Sequence, residues 1–467
     1  MCFSILALSR IHFIVLWPPL ILVLLVTLPY KDIVQPISAD LEYESVLPSV
    51  NIPQLAIDLV FKGVEHPTAM AFLGPNDILV LEKETGKVRR VVNGSIMPDP
   101  LLDTGVATER ERGMLGIAVS NDTQNGITHT YAFIYYTQSS VSEDGGDDCP
   151  PPEPYYCKKG TEPLGNRLYR YELVNDKLIN PKLLLDLPAT PGPNHNGGVV
   201  LIGPDDCLYT VTGDLLPYYD RELGTNAINI RDSGEPDGRG GILRVNQNSH
   251  TKCNGALRDS HSLDKYYAYG IRNSFGMDFD PVTGKLWDTE NGPAYADEIN
   301  LVEPGFNSGW IQIQGIWKPN NIVDSENILD LSGNSSGTPI EGKLYDFQGK
   351  GKYSAPEFTW KQTVGVTALK FLDSDRYGEE YENDIFVGDF KNGKIYHFDL
   401  NNNRTDLALT GQLQDKIADT SEELDESNIV FARGFGGITD LEVGPYDGYL
   451  YILSYHDGAL YLSLIHI

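Results

Sequence analysis

A histidine and an aspartate stand at the ends of two consecutive apolar segments, where they could form an acid–base pair. His195 directly precedes one such segment, and Asp214 follows the next one. A histidine titrates near neutral pH and can therefore act as a general base. A lone histidine more often only hydrogen-bonds a turn, but Gly197 and Gly198 would let a substrate approach this one closely. The pattern favours a catalytic role for His195.

A second polar pair joins an arginine to an amide. Arg272 and Asn273 precede another apolar segment. Together they could polarise a carbonyl group or hold an anionic ligand. A salt bridge between neighbouring sheets explains the arginine equally well.

The turn Gly292-Pro293 lies among acidic residues and suggests a calcium site. Glu290, Asp297 and Glu298 surround it in the sequence. Calcium prefers carbonyl and carboxylate oxygens in combination. The alternative is an ordinary turn whose acidic neighbours bind nearby backbone amides.

A repeated unit must position these residues. It consists of an apolar strand, a Gly-Pro-Asp-like turn, a second apolar strand and a closing Gly or Asp. Four clear copies and two looser ones occur, at 70–81, 199–214, 277–287, 441–453, 116–119 and 369–372. Such turns favour hairpins, and hairpins repeated along a chain are typical of a β-propeller.

The repeats predict an all-β, six-bladed β-propeller over residues 41–467. Long inter-strand loops are expected at 142–161, 215–239 and 315–355. A pair of β-sandwich domains is the competing architecture. No linker of distinct composition divides the chain, so we favour one propeller.

Composition restricts the class of partner. The chain has 65 acidic and 36 basic side chains, for a formal net charge of -29. A surface of this charge repels phosphate backbones, so nucleic acid is excluded as an expected partner.

The first 40 residues have the pattern of a signal peptide or a signal anchor. Residues 11–28 are nearly all apolar, and small residues follow at Ser38 and Ala39. This pattern predicts an extracellular or cell-surface protein with a possible membrane tether. The last residues, 461–467, end inside an apolar strand, which suggests a truncated C-terminus.

Export favours disulfide bonds among the remaining cysteines. Cys149, Cys157, Cys207 and Cys253 form an even set, and four cysteines allow three pairings. A local Cys149–Cys157 bond would close a Pro-rich loop. A zinc site is less favoured, because no Cys-x-x-Cys pair accompanies them.

These motifs, taken in order, resemble those of the soluble quinoprotein glucose dehydrogenases, also called glucose/sorbosone dehydrogenases. The resemblance covers about 51–461 and rests on Glu-Arg-Gly-Met-Leu-Gly at 111–116, Asn-His-Asn-Gly-Gly at 194–198, Gly-Asp at 213–214, Arg-Asn at 272–273, Glu-Asn-Gly-Pro at 290–293 and Asn-Ser-Gly-Trp at 307–310. It implies a six-bladed propeller that binds pyrroloquinoline quinone (PQQ) and calcium and oxidises aldoses at the anomeric carbon.

The resemblance also implies a role for each candidate residue. His195 would take the proton of the sugar hydroxyl while hydride moves to the quinone, and Asp214 would support this base. Arg272 would polarise a quinone carbonyl. Asn273 and Lys391 would contact the cofactor, and Glu111 would contact the substrate. The carbonyls of Gly292 and Pro293 would bind calcium. Without the resemblance, Lys391 would be interpreted as a solvated lysine.

Two departures from the family pattern concern the cofactor. Gly437 and Thr439 replace two arginines that hold cofactor carboxylates, and Arg433 is the expected substitute. Phe275 replaces a glutamine. Because PQQ carries three carboxylates, binding it to an acidic protein requires local cations.

Two functions therefore compete. The first is an exported, PQQ- and calcium-dependent oxidoreductase acting on an aldose or polyol hydroxyl. The alternative is a non-enzymatic propeller, resembling hedgehog-interacting proteins, that binds a glycan or a protein at the cell surface. A hydrolase is a weaker third possibility, since no pair of carboxylates has a recognisable acid/base spacing.

Overall fold

The computed structural model of the chain describes residues 48–52, 54–140, 162–215, 223–230, 233–248, 252–257, 262–318, 329–330 and 344–465. The predicted signal or anchor segment and the cysteines at 149 and 157 lie outside these residues. Among the described residues, no helix has the length and apolar character needed to cross a membrane.

The described secondary structure is almost entirely β. Helices are limited to the short helix α1, Ser421–Glu426, and to the 3-10 helices Asn226–Ile228 and Gly411–Asp415. The strands, in chain order, are β1 Ser49–Val50, β2 Leu55–Lys62, β3 Pro67–Gly74, β4 Asp77–Glu82, β5 Lys87–Val92, β6 Ser95–Ile96, β7 Leu102–Asp103, β8 Met114–Gln124, β9 Ile127–Ser139, β10 Pro163–Val174, β11 Lys177–Leu187, β12 Val200–Ile202, β13 Leu208–Thr212, β14 Gly241–Val245, β15 Tyr266–Tyr269, β16 Ser274–Phe279, β17 Leu286–Glu290, β18 Tyr295–Val302, β19 Phe306–Asn307, β20 Trp317–Lys318, β21 Leu329–Asp330, β22 Lys352–Tyr353, β23 Phe358–Gln362, β24 Val366–Phe371, β25 Ile385–Asp389, β26 Lys394–Phe398, β27 Ile417–Ala418, β28 Val430–Arg433, β29 Ile438–Val443, β30 Leu450–Ser454 and β31 Ala459–Ile465.

The strands form six sheets of at least four strands and one two-stranded ribbon, β20–β21. In chain order the sheets are β3-β4-β5-β6 with β7 beside β5, β8-β9-β10-β11, β12-β13-β14-β15-β19-β22, β16-β17-β18-β23-β27, β24-β25-β26-β28-β1 and β29-β30-β31-β2. The sixth sheet joins the two ends of the described chain, because β2 pairs antiparallel with β31 from Leu55↔Ile465 to Lys62↔Ala459.

The six sheets close into a ring. The first strands of successive sheets contact one another from β3 to β8 and β12, and from β16 to β24, β29 and back to β3. The remaining junction is made by β13 with β16. Six buried hydrophobic clusters each join residues of two neighbouring sheets. The all-β propeller predicted from the repeats is confirmed.

The repeated turn explains why each unit forms a hairpin. Asn76 and Asp206 occupy this turn with φ angles of 52° and 61°, and Gly284 and Gly448 do so with 69° and 73°. Glycine, asparagine and aspartate are the residues that adopt a positive φ most readily. The second strands β13, β17, β25 and β30 are buried at every position, including the polar residues at the end of β17.

A disulfide bond connects two loops of the third sheet. Cys207, between β12 and β13, is bonded to Cys253, which follows β14. Of the three possible pairings, this one is compatible with a Cys149–Cys157 bond, which stays a prediction.

We expect the double variant Cys207→Ser/Cys253→Ser to lose about 4 kcal/mol of unfolding free energy, from the loop entropy released by a disulfide of this separation. Urea unfolding followed by circular dichroism measures the change. Each single variant should lose as much as the double variant, because either substitution breaks the same bond. Stability equal to wild type in all three would contradict a formed disulfide.

Candidate active site

A cavity of about 1080 Å³ lies at the end of the ring where the first strands begin. Its walls include the first residues of all six first strands, at 68–70, 115–117, 199–201, 275–277, 367–369 and 439–441. Residues that follow the second strands complete it, at 83–84, 291–293, 390–391 and 455–456. Polar groups from distant parts of the chain therefore meet in one place.

His195 and Asp214 meet in the cavity wall as an acid–base pair. His195 Nδ1 lies 2.5 Å from Asp214 Oδ1, and both side chains are buried. Trp310 Nε1 donates a 2.7 Å hydrogen bond to Asp214 Oδ2. An Nδ1–H that donates to the carboxylate leaves the lone pair on Nε2. Because His195 lines the cavity, Nε2 is the nitrogen that can accept a proton from a ligand.

Backbone contacts hold this histidine in place. His195 has a φ of 63°, and its carbonyl accepts a 3.0 Å hydrogen bond from the Gly213 N–H. A Cβ atom on Gly213 would lie 2.3 Å from the carbonyl oxygen of Arg272 and 2.7 Å from that of His195. Glycine is therefore required where these segments cross.

Glu111 links the histidine to the amide of Asn273. Its Oε2 accepts a 2.6 Å hydrogen bond from the His195 N–H and a 3.2 Å bond from Asn273 Nδ2. Both Glu111 and Asn273 line the cavity. Asn273 Oδ1 is buried and has no hydrogen-bond partner within the described residues, so it can still receive a donor from a ligand.

Arg272 presents a partly unpaired guanidinium to the same cavity. Its Nη1 donates a 2.6 Å hydrogen bond to the Asn291 carbonyl, and its Cζ lies 5.4 Å from the centre of the Trp310 ring. Its Nε is buried and lacks a hydrogen-bond partner among the residues described. Arg272 forms no salt bridge with any described residue, so the inter-sheet salt bridge considered from the sequence is not observed. The guanidinium has hydrogen-bonding capacity left for an anionic or carbonyl ligand.

The turn at Gly292 and Pro293 is anchored from behind by Asp297. The Asp297 carboxylate accepts hydrogen bonds from the N–H groups of Gly292 at 2.9 Å, Val364 at 2.8 Å and Gly365 at 2.7 Å. Burial raises the pKa of Asp297. The alternative predicted for this acid, a backbone anchor, is therefore confirmed. In the described part of the chain, the carbonyl oxygens of Gly292 and Pro293 accept no hydrogen bond, which leaves both able to bind a cation.

The other two acidic residues also serve internal partners. Glu290 accepts hydrogen bonds from the Arg272 N–H at 2.8 Å and from Ser308 Oγ at 2.7 Å. Glu298 accepts a 2.7 Å bond from Gln314 Nε2. Burial raises the pKa of Glu298 to about 8 and that of Glu290 well above its ordinary value. Neither residue lines the cavity.

Among the described residues, three lysines line the cavity: Lys83, Lys370 and Lys391. Lys370 forms salt bridges with Asp278 and Glu442. Lys391 is exposed, and its Nζ donates to Thr363 Oγ1 at 2.5 Å. Lys83 is buried, and its Nζ donates a 2.7 Å bond to the Arg110 carbonyl. Burial lowers the pKa of Lys83, and the charge of Glu84 opposes this effect. The sequence singled out Lys391 but not Lys83.

An aromatic group occupies the place where arginines were expected. A Cβ atom on Gly437 would lie 3.2 Å from the Phe390 ring, whose centroid is 5.4 Å from that of Tyr455. Thr439 Oγ1 donates a 2.9 Å bond to the Pro67 carbonyl. Arg433 is not among the residues that line this cavity.

The prediction that Arg433 replaces the missing arginines is wrong. Its Nη2 donates to Asp425 of α1 at 3.3 Å, and no residue of β28 lines the cavity. The guanidinium of Arg433 forms a salt bridge with the acidic helix α1 and does not face the cavity proposed for the cofactor.

Two further features of the wall escaped the sequence analysis. His66 stacks on Tyr455 with ring centroids 4.6 Å apart, and His66 Nδ1 lies 3.1 Å from Glu84 Oε2. Both residues could have been predicted from their positions, because His66 directly precedes β3 and Tyr455 directly follows β30. Trp310 belongs to the motif at 307–310, but its contact with Asp214 was not predicted, because only the folded chain brings the two together.

Comparison with known proteins adds family information to this geometry. Residues 64–462 match the family model described as Glucose / Sorbosone dehydrogenase. Aldose sugar dehydrogenase YliI of Escherichia coli is 24% identical over 409 residues, covering 85% of this chain and 89% of that protein. Quinoprotein glucose dehydrogenase B of Acinetobacter calcoaceticus is 26% identical over 392 residues, covering 73% of this chain and 77% of that one.

A solved structure supports the fold. The PQQ-bound form of an aldose sugar dehydrogenase from Streptomyces coelicolor superposes with a TM-score of 0.57 at 19% identity, covering 88% of this chain and 98% of that one. At this identity the likeness shows the propeller fold alone.

Proposed function

Because this chain belongs to the glucose/sorbosone dehydrogenase family, we propose that it oxidises a hydroxyl group of an aldose or polyol with PQQ. The six sheets then serve as the six blades of the family propeller. The observation that carries the proposal is the His195–Asp214 pair, which opens into the same cavity as Arg272 and Asn273.

The residues present fit a planar anionic cofactor. Arg272 Nε and Asn273 Oδ1 are buried polar atoms without partners in the described chain. Lys391 and Lys83 line the same cavity and bring positive charge for carboxylates. When bound, PQQ supplies a two-electron acceptor for hydride. Arg272 would donate to its carbonyl edge and Lys391 to one of its carboxylates, and Asn273 Oδ1 could accept from a donor group of the cofactor.

His195 then acts on the substrate. Nε2 would remove the hydroxyl proton as the C–H bond gives up hydride, so that the substrate loses two electrons and two protons in all, one proton to His195 and one with the hydride. The adjacent Asp214 carboxylate stabilises the resulting imidazolium, and the Trp310 N–H fixes that carboxylate. Glu111 lies beside the base, where it can accept a hydrogen bond from a second sugar hydroxyl.

We place calcium at the carbonyl oxygens of Gly292 and Pro293. Asp297 fixes this turn through three backbone N–H groups, so the two carbonyls are pre-organised for a hard cation. Two protein oxygens are too few for calcium, so the ion would need the cofactor or water to complete its ligands.

We also propose that the protein works outside the cell or at its surface. The apolar segment at 11–28 supports export. The Cys207–Cys253 bond supports an oxidising compartment.

A titration of the purified, metal-stripped protein with PQQ, with and without calcium, tests the proposal. Calcium-dependent binding, followed by bleaching of the quinone absorbance on adding an aldose, would support it. If PQQ does not bind even at millimolar calcium, the replacement of the two family arginines by Gly437 and Thr439 has abolished cofactor binding. The non-enzymatic binder, favoured by Phe390 beside Gly437, would then be the better explanation.

Lys391→Ala is expected to weaken PQQ binding about tenfold, because one charge-assisted contact is lost. The effect should be larger at low ionic strength, where the charge is less screened. Calorimetry measures both affinities. Lys361→Ala is the matched control, since this exposed lysine pairs with Asp419 away from the cavity. Equal affinity in both variants would place Lys391 in solvent.

A further inference from the structure

Three potential metal ligands meet at the far end of the fifth sheet. Asp384 directly precedes β25, while His397 lies in β26 and Asp399 follows it. The ligating atoms of all three lie within 4.8 Å of one another. β25 runs from this cluster to Asp389, two residues before Lys391 of the cavity. A five-residue strand spans about 16 Å, so the cluster is separate from the candidate active site.

The pairing of β25 with β26 places the three side chains on one face of the sheet. Phe386 pairs with His397, and Ile385 pairs with Phe398. One step further along the same register, Asp384 stands opposite Asp399. Side chains alternate between faces with a period of two residues, so both aspartates lie on the same face as His397.

This arrangement places the carboxylates of Asp384 and Asp399 directly opposite each other. Carboxylates directly opposite each other on neighbouring strands destabilise a sheet. The nearby cation Arg404 does not compensate, because its Nε bonds both oxygens of Asp280. Within the described chain, the ion pairs of both aspartates are with His397.

Two of the three separations between ligand atoms are close to those around a small divalent ion. His397 Nε2 lies 3.0 Å from Asp384 Oδ2 and 3.6 Å from Asp399 Oδ1. Around a tetrahedral zinc with bonds of about 2.0–2.1 Å, neighbouring ligand atoms are roughly 3.3 Å apart. One nitrogen and two carboxylate oxygens suit zinc and other first-row divalent metals. Calcium instead requires six to eight oxygens.

The surroundings hold His397 and leave Asp399 open to solvent. The His397 backbone N–H donates to the Ile429 carbonyl at 2.8 Å, and the imidazole packs against the rings of Tyr381 and Phe386, with centroid distances of 4.9 and 5.0 Å. The Asp399 side chain is 63% exposed. Water can therefore reach the remaining coordination positions.

We propose that Asp384, His397 and Asp399 bind a divalent first-row transition metal, with zinc as its probe. The site supplies three protein ligands and admits water to the rest. It is independent of the proposed oxidoreductase function, because it requires neither PQQ nor a sugar. The metal would neutralise the opposed carboxylates and join the ends of β25 and β26.

Calorimetric titration of the metal-stripped full chain with Zn²⁺, in excess calcium, tests this site. Wild type should bind one zinc at a saturable site. His397→Gln and Asp399→Asn should each weaken that binding at least tenfold, because each removes a ligand. His129→Gln is the matched control, since His129 Nδ1 bonds a single carboxylate, Glu172, at 2.7 Å. It should bind zinc as wild type does.

Asp399→Asn keeps the test informative if the histidine variant folds poorly, because this side chain is largely exposed. Thermal unfolding in the presence of a chelator checks the fold of each variant. Zinc affinity in His397→Gln and Asp399→Asn equal to that of wild type would overturn the site. An equal loss of zinc affinity in His129→Gln would also overturn it. If wild type shows no saturable zinc binding, the cluster is an ordinary histidine–carboxylate ion pair.

Discussion

His195→Ala is expected to lower kcat/KM for aldose oxidation by about 10³-fold, within the range that a positioned general base contributes. The reason is geometric. Asp214 occupies Nδ1, so Nε2 is the acceptor that faces the cavity, and alanine supplies none. Steady-state reduction of a dye acceptor by PQQ-loaded protein measures the loss. The affinity for PQQ should change little, because the role proposed for this side chain is toward the substrate.

Asp214→Asn provides a second test of the same pair. An amide at this position can donate to Nδ1 and thereby favour the tautomer that carries its proton on Nε2, the wrong atom for a base. Turnover should fall while the hydrogen bond from Trp310 can be kept by the amide oxygen. His129→Ala, in a different sheet, should retain wild-type activity. Substantial activity in His195→Ala would remove the histidine from the reaction.

The fold was predictable because every sheet repeats the same local signal. Asp206 and Gly284 occupy equivalent turns and both adopt a positive φ. The strands that follow these turns, β13 and β17, are buried at every position because a neighbouring sheet covers each face. What the repeats did not predict are the strands that extend the sheets, such as β1 on β28 and β27 on β23. These strands are two residues long, so their pairing depends on tertiary contacts and not on their own pattern.

Candidate residues were predictable where they border a repeated strand. His195 precedes β12, and Asp214 comes two residues after β13, so both lie at the same end of the sheet. Lys83 follows β4 in the same way, yet its sequence Glu-Lys-Glu-Thr-Gly reads as a solvated turn. The folded ring buries it beneath Arg110. A search for polar residues directly after every second strand would have found it.

Residues from irregular segments were not predictable. Trp310 reaches Asp214 across 96 positions of the sequence, and no strand pattern relates the two. Arg433 shows the reverse error. Arg433 lies four positions before Gly437 in the sequence. It is the last residue of β28, however, and its side chain contacts α1. Proximity in sequence is a poor guide beyond a strand end, because the direction of the side chain is set by the register.

The charge of the cavity explains how an acidic protein could still hold an anionic cofactor. With a net charge of -29, the chain as a whole repels carboxylates. Local cations can overcome this repulsion because salt screens the distant charges and the cavity partly excludes water. Arg272 contributes most among these cations, since its guanidinium is fixed by Asn291 and Trp310.

Arg272→Lys is expected to lower kcat/KM by about 10²-fold, and Arg272→Ala by about 10³-fold, the losses typical of a donor that stabilises developing negative charge. Lysine keeps the charge but loses the planar fork that bonds Asn291 and leaves Nε free for a ligand. The loss should fall mainly on kcat, because the quinone oxygen gains negative charge in the reaction. The fold should persist, since the contact with Glu290 is made by the Arg272 backbone N–H.

Arg433→Lys is the matched control for this prediction. Its guanidinium pairs with Asp425 and its side chain is 43% exposed, so activity and PQQ affinity should equal those of wild type. If Arg433→Lys lowers kcat/KM while Arg272→Lys does not, the assignment of the two arginines is reversed. The cofactor would then lie toward α1 and not beside His195, and hydride transfer could not be coupled to that base.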